Sequence, residues 1–338
     1  MQDASKALAV AAEARTIQPY HPDVLNVQGE AQSASGDKPG AVTTFATLVK
    51  IVPESPLAHY RLATAYMAKE DYVAAADSFR NALKLKSDYL DAKAGLALVE
   101  YRAGKYDESL ALAQQIQRQD PKLAVGYSLE GDSLMAQQKF GPAASAYEKA
   151  FARRQSGIVA TKLHGALSQA GKIKEAEDRL LKWLQSHPTD TGSRLYLANA
   201  YINAVQNQQA IEQYQLVLRN DAKNLLALNN LATLLRQQND PRALDFFEQS
   251  YKLKPDNVTI TENLGWALVE RGKLTRGVEL LRKAAGQAPD NPEIRYHLAA
   301  ALAKSGETAL ARSELERLLA KNTEFRHRDE AAALLKQL

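Results

Sequence analysis

The sequence contains no cysteine among its 338 residues, and only 7% of the residues are aromatic. Without cysteine the chain cannot form a disulfide framework, a Cys-ligated zinc site, an iron–sulfur cluster or a thiol nucleophile. The shortage of aromatic residues means that the core must be built mainly from alanine and leucine. Because alanine, leucine, glutamine, glutamate and lysine all favour helices, this composition predicts an all-α protein.

Long apolar segments and a strong excess of one charge are also absent. No window approaches the roughly 18 consecutive apolar residues of a membrane span. The first six residues do not resemble a secretory signal, which needs basic residues followed by an apolar stretch. The net charge of +4, from 43 basic and 39 acidic residues, gives no sign of nucleic-acid binding. We therefore expect either a cytosolic protein or one from which an export segment has been removed.

Motifs for catalysis and for cofactor binding are missing as well. The sequence has no GxGxxG, GxSxG or HExxH, and the nearest approach to a phosphate-binding loop, at 165–173, lacks the required Ser or Thr. The six histidines form no pair at helical spacing, and carboxylate pairs such as Glu175 and Glu177 are expected on solvated helix faces. The sequence therefore predicts no catalytic residue, no cofactor and no metal site.

What the sequence does contain is a period of about 34 residues. A leucine followed by alanine or glycine recurs in phase, as at Leu62 and Leu264, with a small residue about a dozen positions later and a bulky one after four more. A fixed period in this range indicates an array of structural repeats. Half of the twelve prolines lie one or two periods apart, with one residue missing from two of the intervals: Pro19, Pro53, Pro121, Pro188, Pro255 and Pro289.

Each period reads as a pair of antiparallel helices. Apolar residues at steps of three and four form a stripe along each helix, and small residues are needed where the two helices cross closely. Turns with glycine or polar residues separate the helices, for example around Gly104 and Gly272. The proline follows the second helix, where its missing N–H group ends the helical pattern.

Together these residues resemble the tetratricopeptide repeat. The matching features are the small pair in the first helix, the alanine of the second helix, the aromatic residue four positions later and the closing proline. The resemblance implies an all-α fold, a right-handed α-solenoid of stacked antiparallel helix pairs. It predicts nine repeats over residues 22–325, which start at 22, 56, 90, 124, 158, 191, 225, 258 and 292.

Both ends of the array differ from a complete repeat. Residues 1–21 match only the second helix of a repeat, and a repeat needs its neighbour in order to bury its apolar face. We therefore expect a truncated repeat there and further repeats upstream, the alternative being an isolated capping helix. Residues 326–338 are predicted to form a C-terminal capping helix with Ala331, Leu334 and Leu335 facing inward.

The first helices of such an array line a continuous groove, the usual binding surface of a solenoid. In the later repeats, the positions expected to face this groove carry asparagine and aromatic residues. Asparagine can both donate to and accept from a peptide backbone, and tryptophan or tyrosine offers rigid apolar area with a polar tip. We therefore predict that a protein or peptide partner binds there in extended form. The predicted partner-binding residues are Tyr196, Asn199, Asn230, Arg236, Asn263, Trp266, Tyr296 and His297.

Two better-defined kinds of groove do not fit this sequence. Chaperone-binding tetratricopeptide domains hold a C-terminal carboxylate with lysines and asparagines, but Leu195 and Thr259 stand where cations are expected. The glycosyltransferase type carries asparagine in consecutive repeats, whereas here only Asn230 and Asn263 occupy that position and Gly95 is among the exceptions. The groove chemistry therefore differs from both.

The last third of the sequence carries a narrower resemblance. The runs 228–232, 264–266, 277–284 and 289–299 are similar to the C-terminal part of the tetratricopeptide lipoproteins of the PEP-CTERM/exosortase system, which accompany exopolysaccharide loci in Gram-negative bacteria. The resemblance implies a non-catalytic scaffold in envelope protein sorting or exopolysaccharide export. It also implies a periplasmic or membrane-associated location through a lipid anchor upstream of this sequence. The alternative is a cytoplasmic tetratricopeptide adaptor or co-chaperone-like module.

Overall fold

The computed structural model describes residues 2–321 and 324–338, and these residues form twenty α-helices. The all-α class predicted from composition and period is confirmed. The helices are α1 (Gln2–Ile17), α2 (Pro22–Ser35), α3 (Lys38–Ile51), α4 (Pro56–Ala68), α5 (Tyr72–Leu85), α6 (Leu90–Arg102), α7 (Tyr106–Gln119), α8 (Ala124–Ala136), α9 (Phe140–Arg153), α10 (Gly157–Gln169), α11 (Ile173–Ser186), α12 (Thr191–Asn203), α13 (Asn207–Asn220), α14 (Leu225–Gln237), α15 (Ala243–Leu253), α16 (Val258–Glu270), α17 (Leu274–Gln287), α18 (Pro292–Lys304), α19 (Thr308–Lys321) and α20 (Arg328–Gln337).

The helices form consecutive antiparallel pairs. The even-numbered helices from α2 to α18 are the first helices of these pairs, and each packs against the odd-numbered second helix that follows it. Second helices also pack against the first helix of the next pair, as α3 does on α4 and α17 on α18. At the ends of the series, α1 packs on α2, and α20 packs on α18 and α19.

The chain divides into two compact units, Met1–Ser186 with α1–α11 and His187–Leu338 with α12–α20. In the first unit the close helix crossings depend on glycine. A Cβ atom on Gly95 would lie 2.3 Å from the ring of Phe79, which is fully buried. In the second unit the core consists mainly of leucine and alanine, and leucines such as Leu231, Leu264 and Leu281 are fully buried.

One residue in the turn between the two helices of a pair has a left-handed backbone. In the described residues this residue is glycine at five turns, for example Gly104 with φ of 78°. At four other turns it is Glu70, Gln138, Val205 or Asn239, with φ between 57° and 66°. Glycine adopts this conformation without steric cost, whereas a residue with a Cβ atom does not.

Helix length bears on the question of membrane association. Across residues 2–321 and 324–338, no helix combines the length and the apolar composition that a membrane crossing requires.

Candidate functional site

The eight predicted partner-binding residues all lie in the second unit, on the first helices of four consecutive pairs. We call the surface that these helices present the late face. Neighbouring first helices contact one another from α14 to α16 and from α16 to α18. In chain order, α12 carries Tyr196 and Asn199, α14 carries Asn230 and Arg236, α16 carries Asn263 and Trp266, and α18 carries Tyr296 and His297.

Two of the predicted asparagines are joined by a tyrosine. The hydroxyl of Tyr214, on α13, donates to Oδ1 of Asn199 at 2.6 Å and accepts from Nδ2 of Asn230 at 2.9 Å. The Tyr214 side chain is fully buried, and this burial raises the pKa of its hydroxyl, which therefore stays neutral at physiological pH. The tyrosine fixes the orientation of both amides.

The remaining polar residues of the late face are also held in place. Asn263 donates from Nδ2 to Oδ1 of Asn229 on the preceding first helix at 3.0 Å. Arg236 forms an ion pair with Glu270, also between neighbouring first helices, at 3.0 Å. The half-buried side chains of Asn263 and Arg236 therefore connect α14 to α16.

The aromatic residues of the late face form a stack rather than separate platforms. The Trp266 and His297 rings lie 4.4 Å apart between centroids, with an angle of 19° between their planes. Nδ1 of His297 lies 2.6 Å from a carboxylate oxygen of Glu262, and the ammonium of Lys304 lies 5.3 Å from the centre of the Trp266 ring. Trp266 is half-buried and also packs against the core between α16 and α18.

Sequence reasoning missed one ring of this stack. His327 is not among the predicted partner-binding residues, but it is half-buried and stacks on Tyr296, with centroids 4.9 Å apart and ring planes 15° apart. Its Nε2 atom also lies 3.5 Å from the carboxylate of Glu293. The chain before α20 returns to α18, and no periodic signal in the sequence indicates that return. The repeat pattern predicts a bulky residue at the position of Tyr214, but it does not indicate the hydrogen bonds that its hydroxyl makes.

The polar side chains of the late face keep hydrogen-bonding capacity for a ligand. In the part of the chain that the structure describes, no three His, Asp or Glu side chains come close enough together to hold a metal ion. The asparagines are fixed by hydrogen bonds but not exhausted by them, since each amide has further donor or acceptor capacity. The late face thus combines fixed amides, a short stack of rings and a few ion pairs.

Comparison with protein families gives matches over more than half of the chain. Two family models, both described as tetratricopeptide repeat, match residues 268–338 in one case and residues 60–124 and 195–258 in the other.

Among curated proteins, the chain is similar to bacterial proteins that are much longer. It is 29% identical over 258 residues to cellulose synthase 1 operon protein C of Komagataeibacter xylinus. This alignment covers 73% of this chain and 17% of the relative. It is 28% identical over 138 residues to a TPR repeat-containing protein of Pseudomonas aeruginosa. This second alignment covers 39% of this chain and 23% of the relative. The chain therefore spans less than a quarter of the length of these relatives.

Among solved structures, the fold is similar to that of the yeast Tom70 crystal structure. The TM-score is 0.57 with 16% sequence identity, over 86% of this chain and 62% of that chain. At this identity the similarity shows the shared helical fold alone.

Proposed function

The chain belongs to the tetratricopeptide repeat family of non-catalytic scaffolds, and on that basis we propose that its late face binds a protein or peptide partner in extended form. The observation that carries the proposal is the fixed row of amides and rings on consecutive first helices. Asn199 and Asn230 are oriented by the Tyr214 hydroxyl, and Trp266 is oriented by His297. Side chains that are already ordered lose less conformational entropy when a partner binds.

The chemistry of the late face fits a peptide backbone. An amide side chain can pair with both the N–H and the C=O of an extended peptide. The Trp266 and Tyr296 rings add apolar area that a partner can cover, and such residues contribute strongly to binding energy.

The binding proposal is tested with the double variant Trp266→Ala, Asn230→Ala. We expect at least tenfold lower recovery of the partner in a pull-down with the full-length protein. The Tyr214 hydroxyl keeps its bond to Asn199 in this variant, so far-UV circular dichroism is expected to remain helical.

A matched control removes side chains of exposed residues on second helices instead. Gln209 on α13 and Leu310 on α19 are both exposed, and the double variant Gln209→Ala, Leu310→Ala is expected to recover the partner normally. Equal recovery by both double variants would remove the late face as the binding site.

We further propose that the full-length protein works in envelope protein sorting or exopolysaccharide export. The similarity to cellulose synthase 1 operon protein C over 73% of the chain supports the second of these settings. The resemblance of the last third to PEP-CTERM-associated lipoproteins supports the first. On this proposal, the protein lies on the periplasmic side of a membrane and is held there by a lipid anchor outside the present sequence.

The location is tested by fractionation of cells that express the full-length protein with a C-terminal tag. We expect the tag in the membrane fraction, and we expect protease added to spheroplasts to digest it. Recovery of the tag in the soluble cytoplasmic fraction, protected from protease, would contradict the envelope proposal and favour a cytoplasmic adaptor.

A further inference from the structure

A different open surface lies within the first unit. It is a cleft of about 300 Å³ between α4, α6 and α8, and the residues that line it include Tyr60, Met67, Asp91, Leu98 and Val125. We call it the first-unit cleft. A second depression, of about 560 Å³, continues from it toward α2 and shares Tyr60 and Thr64 with it.

The floor of the first-unit cleft is apolar because a glycine leaves it open. Gly95 on α6 has no side chain to cover the ring of Phe79, and a Cβ atom there would lie 2.3 Å from that ring. The cleft therefore reaches down to a buried aromatic ring. Gly95 occupies one of the positions at which other tetratricopeptide grooves carry asparagine, so apolar contact replaces amide pairing here.

Exposed apolar side chains occupy one repeated position on the first helices of this unit; of these, Val125 lines the cleft and Leu57 lines the adjoining depression. Leu57, Val125 and Ile158 are each the second residue of a first helix, on α4, α8 and α10, and they are 42%, 40% and 72% exposed. Exposed apolar side chains that border an open depression can contact a binding partner. Asp91 is the second residue of α6 and interrupts this row with a carboxylate.

The Asp91 carboxylate has no basic partner among the described residues. The two basic residues near it in the fold or the sequence, Arg61 and Lys93, bond to other groups. Arg61 pairs with Glu30 at 2.5 Å and donates to Asn26 at 2.7 Å. Lys93 donates to Gln119 at 2.6 Å.

The charge of Asp91 acts on the aromatic wall of the cleft. Burial raises the pKa of Tyr60, and the negative charge of Asp91 raises it further. An exposed acid beside exposed apolar side chains is complementary to a basic group that arrives together with apolar side chains.

We propose that the first-unit cleft binds an extended peptide segment in which one lysine or arginine is flanked by apolar side chains. The basic residue pairs with Asp91, and the apolar residues contact Leu57 on one side and Val125 on the other. Packed helices lie roughly 8–10 Å apart, and an extended chain advances about 3.3 Å per residue. The apolar residues therefore stand about three positions before and after the basic residue.

The test uses three fluorescent nine-residue peptides built on serine. Each has leucine three positions before and three positions after a central lysine, glutamine or glutamate. Binding to the full chain is measured by fluorescence anisotropy at low ionic strength. We expect the lysine peptide to bind about threefold to fivefold more tightly than the glutamine peptide, as an exposed ion pair allows, and the glutamate peptide to bind most weakly.

Variants then locate the site. Asp91→Asn is expected to abolish the preference for lysine over glutamine, and Val125→Ser is expected to weaken all three peptides about threefold. Two exposed residues on second helices supply matched controls, Asp178→Asn on α11 and Val73→Ser on α5. Neither control is expected to change any of the three affinities.

Several results would overturn the inference: no binding of the lysine peptide, no preference for lysine, or a preference that persists in Asp91→Asn. The late face is tested in the same titrations with Trp266→Ala, which is expected to have no effect. A loss of lysine preference in Trp266→Ala alone would place the peptide on the late face, which contradicts this inference and supports the proposed function. The inference goes beyond that function, and its failure would not contradict the proposed binding of a partner at the late face.

Discussion

The Tyr214 hydroxyl lies between two asparagines of neighbouring repeats, and it makes a packing residue part of the late face. The ring fills the position that the repeat reserves for a bulky side chain, and it is fully buried. Its oxygen reaches the late face, where it bonds to Asn199 and Asn230. Stability and the proposed binding are therefore linked at this residue.

Tyr214→Phe keeps the ring and removes the hydroxyl. We expect the free energy of unfolding to fall by about 1–2 kcal/mol, because the part-buried side-chain amides of Asn199 and Asn230 each lose a hydrogen-bond partner. Urea denaturation followed by circular dichroism measures this change. Tyr20→Phe, at a tyrosine that is 67% exposed, is expected to change stability by less than about 0.5 kcal/mol. Equal effects of the two substitutions would show that the bridge contributes nothing.

His164 on α10 predicts a dependence of stability on pH. Burial lowers the pKa of its imidazole, although the charge of Glu177 opposes this change. As the pH falls through about 6.5, the unfolded chain binds a proton at His164 before the folded chain does. Stability at this residue is therefore lost on acidification.

Urea denaturation at pH 7.5 and pH 5.5 measures that loss. We expect His164→Gln to lose less stability between the two pH values than the wild type, since glutamine does not titrate. The difference between the two proteins isolates His164 from the other titrating groups. A wild type and a variant with the same pH dependence would contradict the assignment.

The first helices of the second unit begin with side chains that cap their free N–H groups. Asp190, Asn224, Asn257 and Asn291 each accept a hydrogen bond from a backbone N–H in the first turn of α12, α14, α16 or α18. These caps fix where each first helix starts. They thereby set the register of the side chains on the late face.

Asn257→Ala tests the contribution of one cap. Oδ1 of Asn257 accepts from the N–H of Ile260 at 3.1 Å. Loss of this bond is expected to lower stability by about 1 kcal/mol, measured by urea denaturation. Asn257→Ser retains an acceptor and is expected to retain most of the stability, so equal losses in the two variants would argue against capping as the cause.

The helix pairs were predictable because each depends on residues three, four or 34 positions apart. The same reasoning chose the eight late-face residues, and the structure places them on consecutive first helices. It could not show that Asn230 shares a tyrosine with Asn199, or that His327 stacks on Tyr296. These contacts depend on side-chain direction and on the return of the non-repeating segment before α20 to α18. Neither feature produces a periodic pattern in the sequence.

The division into Met1–Ser186 and His187–Leu338 has a consequence for folding. In repeat proteins each repeat interacts mainly with its neighbours, so a run of complete repeats carries its own stability. The second unit has its own buried clusters, one around Leu281 and Leu298 and another around Leu315 and Ala331.

A fragment of residues 187–338 is therefore expected to fold alone. The expected result is a helical circular dichroism spectrum and cooperative unfolding in urea. A fragment of residues 205–338 is the control, because it leaves α13 without the α12 on which it packs, and it is expected to be less stable. An unfolded 187–338 fragment, or equal stability of the two fragments, would contradict this view.

The left-handed turn at Val205 is a position where a substitution can raise the free energy of unfolding. Its φ is 59° and its side chain is 81% exposed, so a β-branched residue bears steric strain there without packing in return. Val205→Gly is expected to raise the free energy of unfolding by about 1 kcal/mol, measured by urea denaturation; an unchanged or lower value would show that the turn is relaxed. Such a variant would offset the loss expected from Tyr214→Phe or Asn257→Ala, so that surface variants can be compared in a background that stays folded.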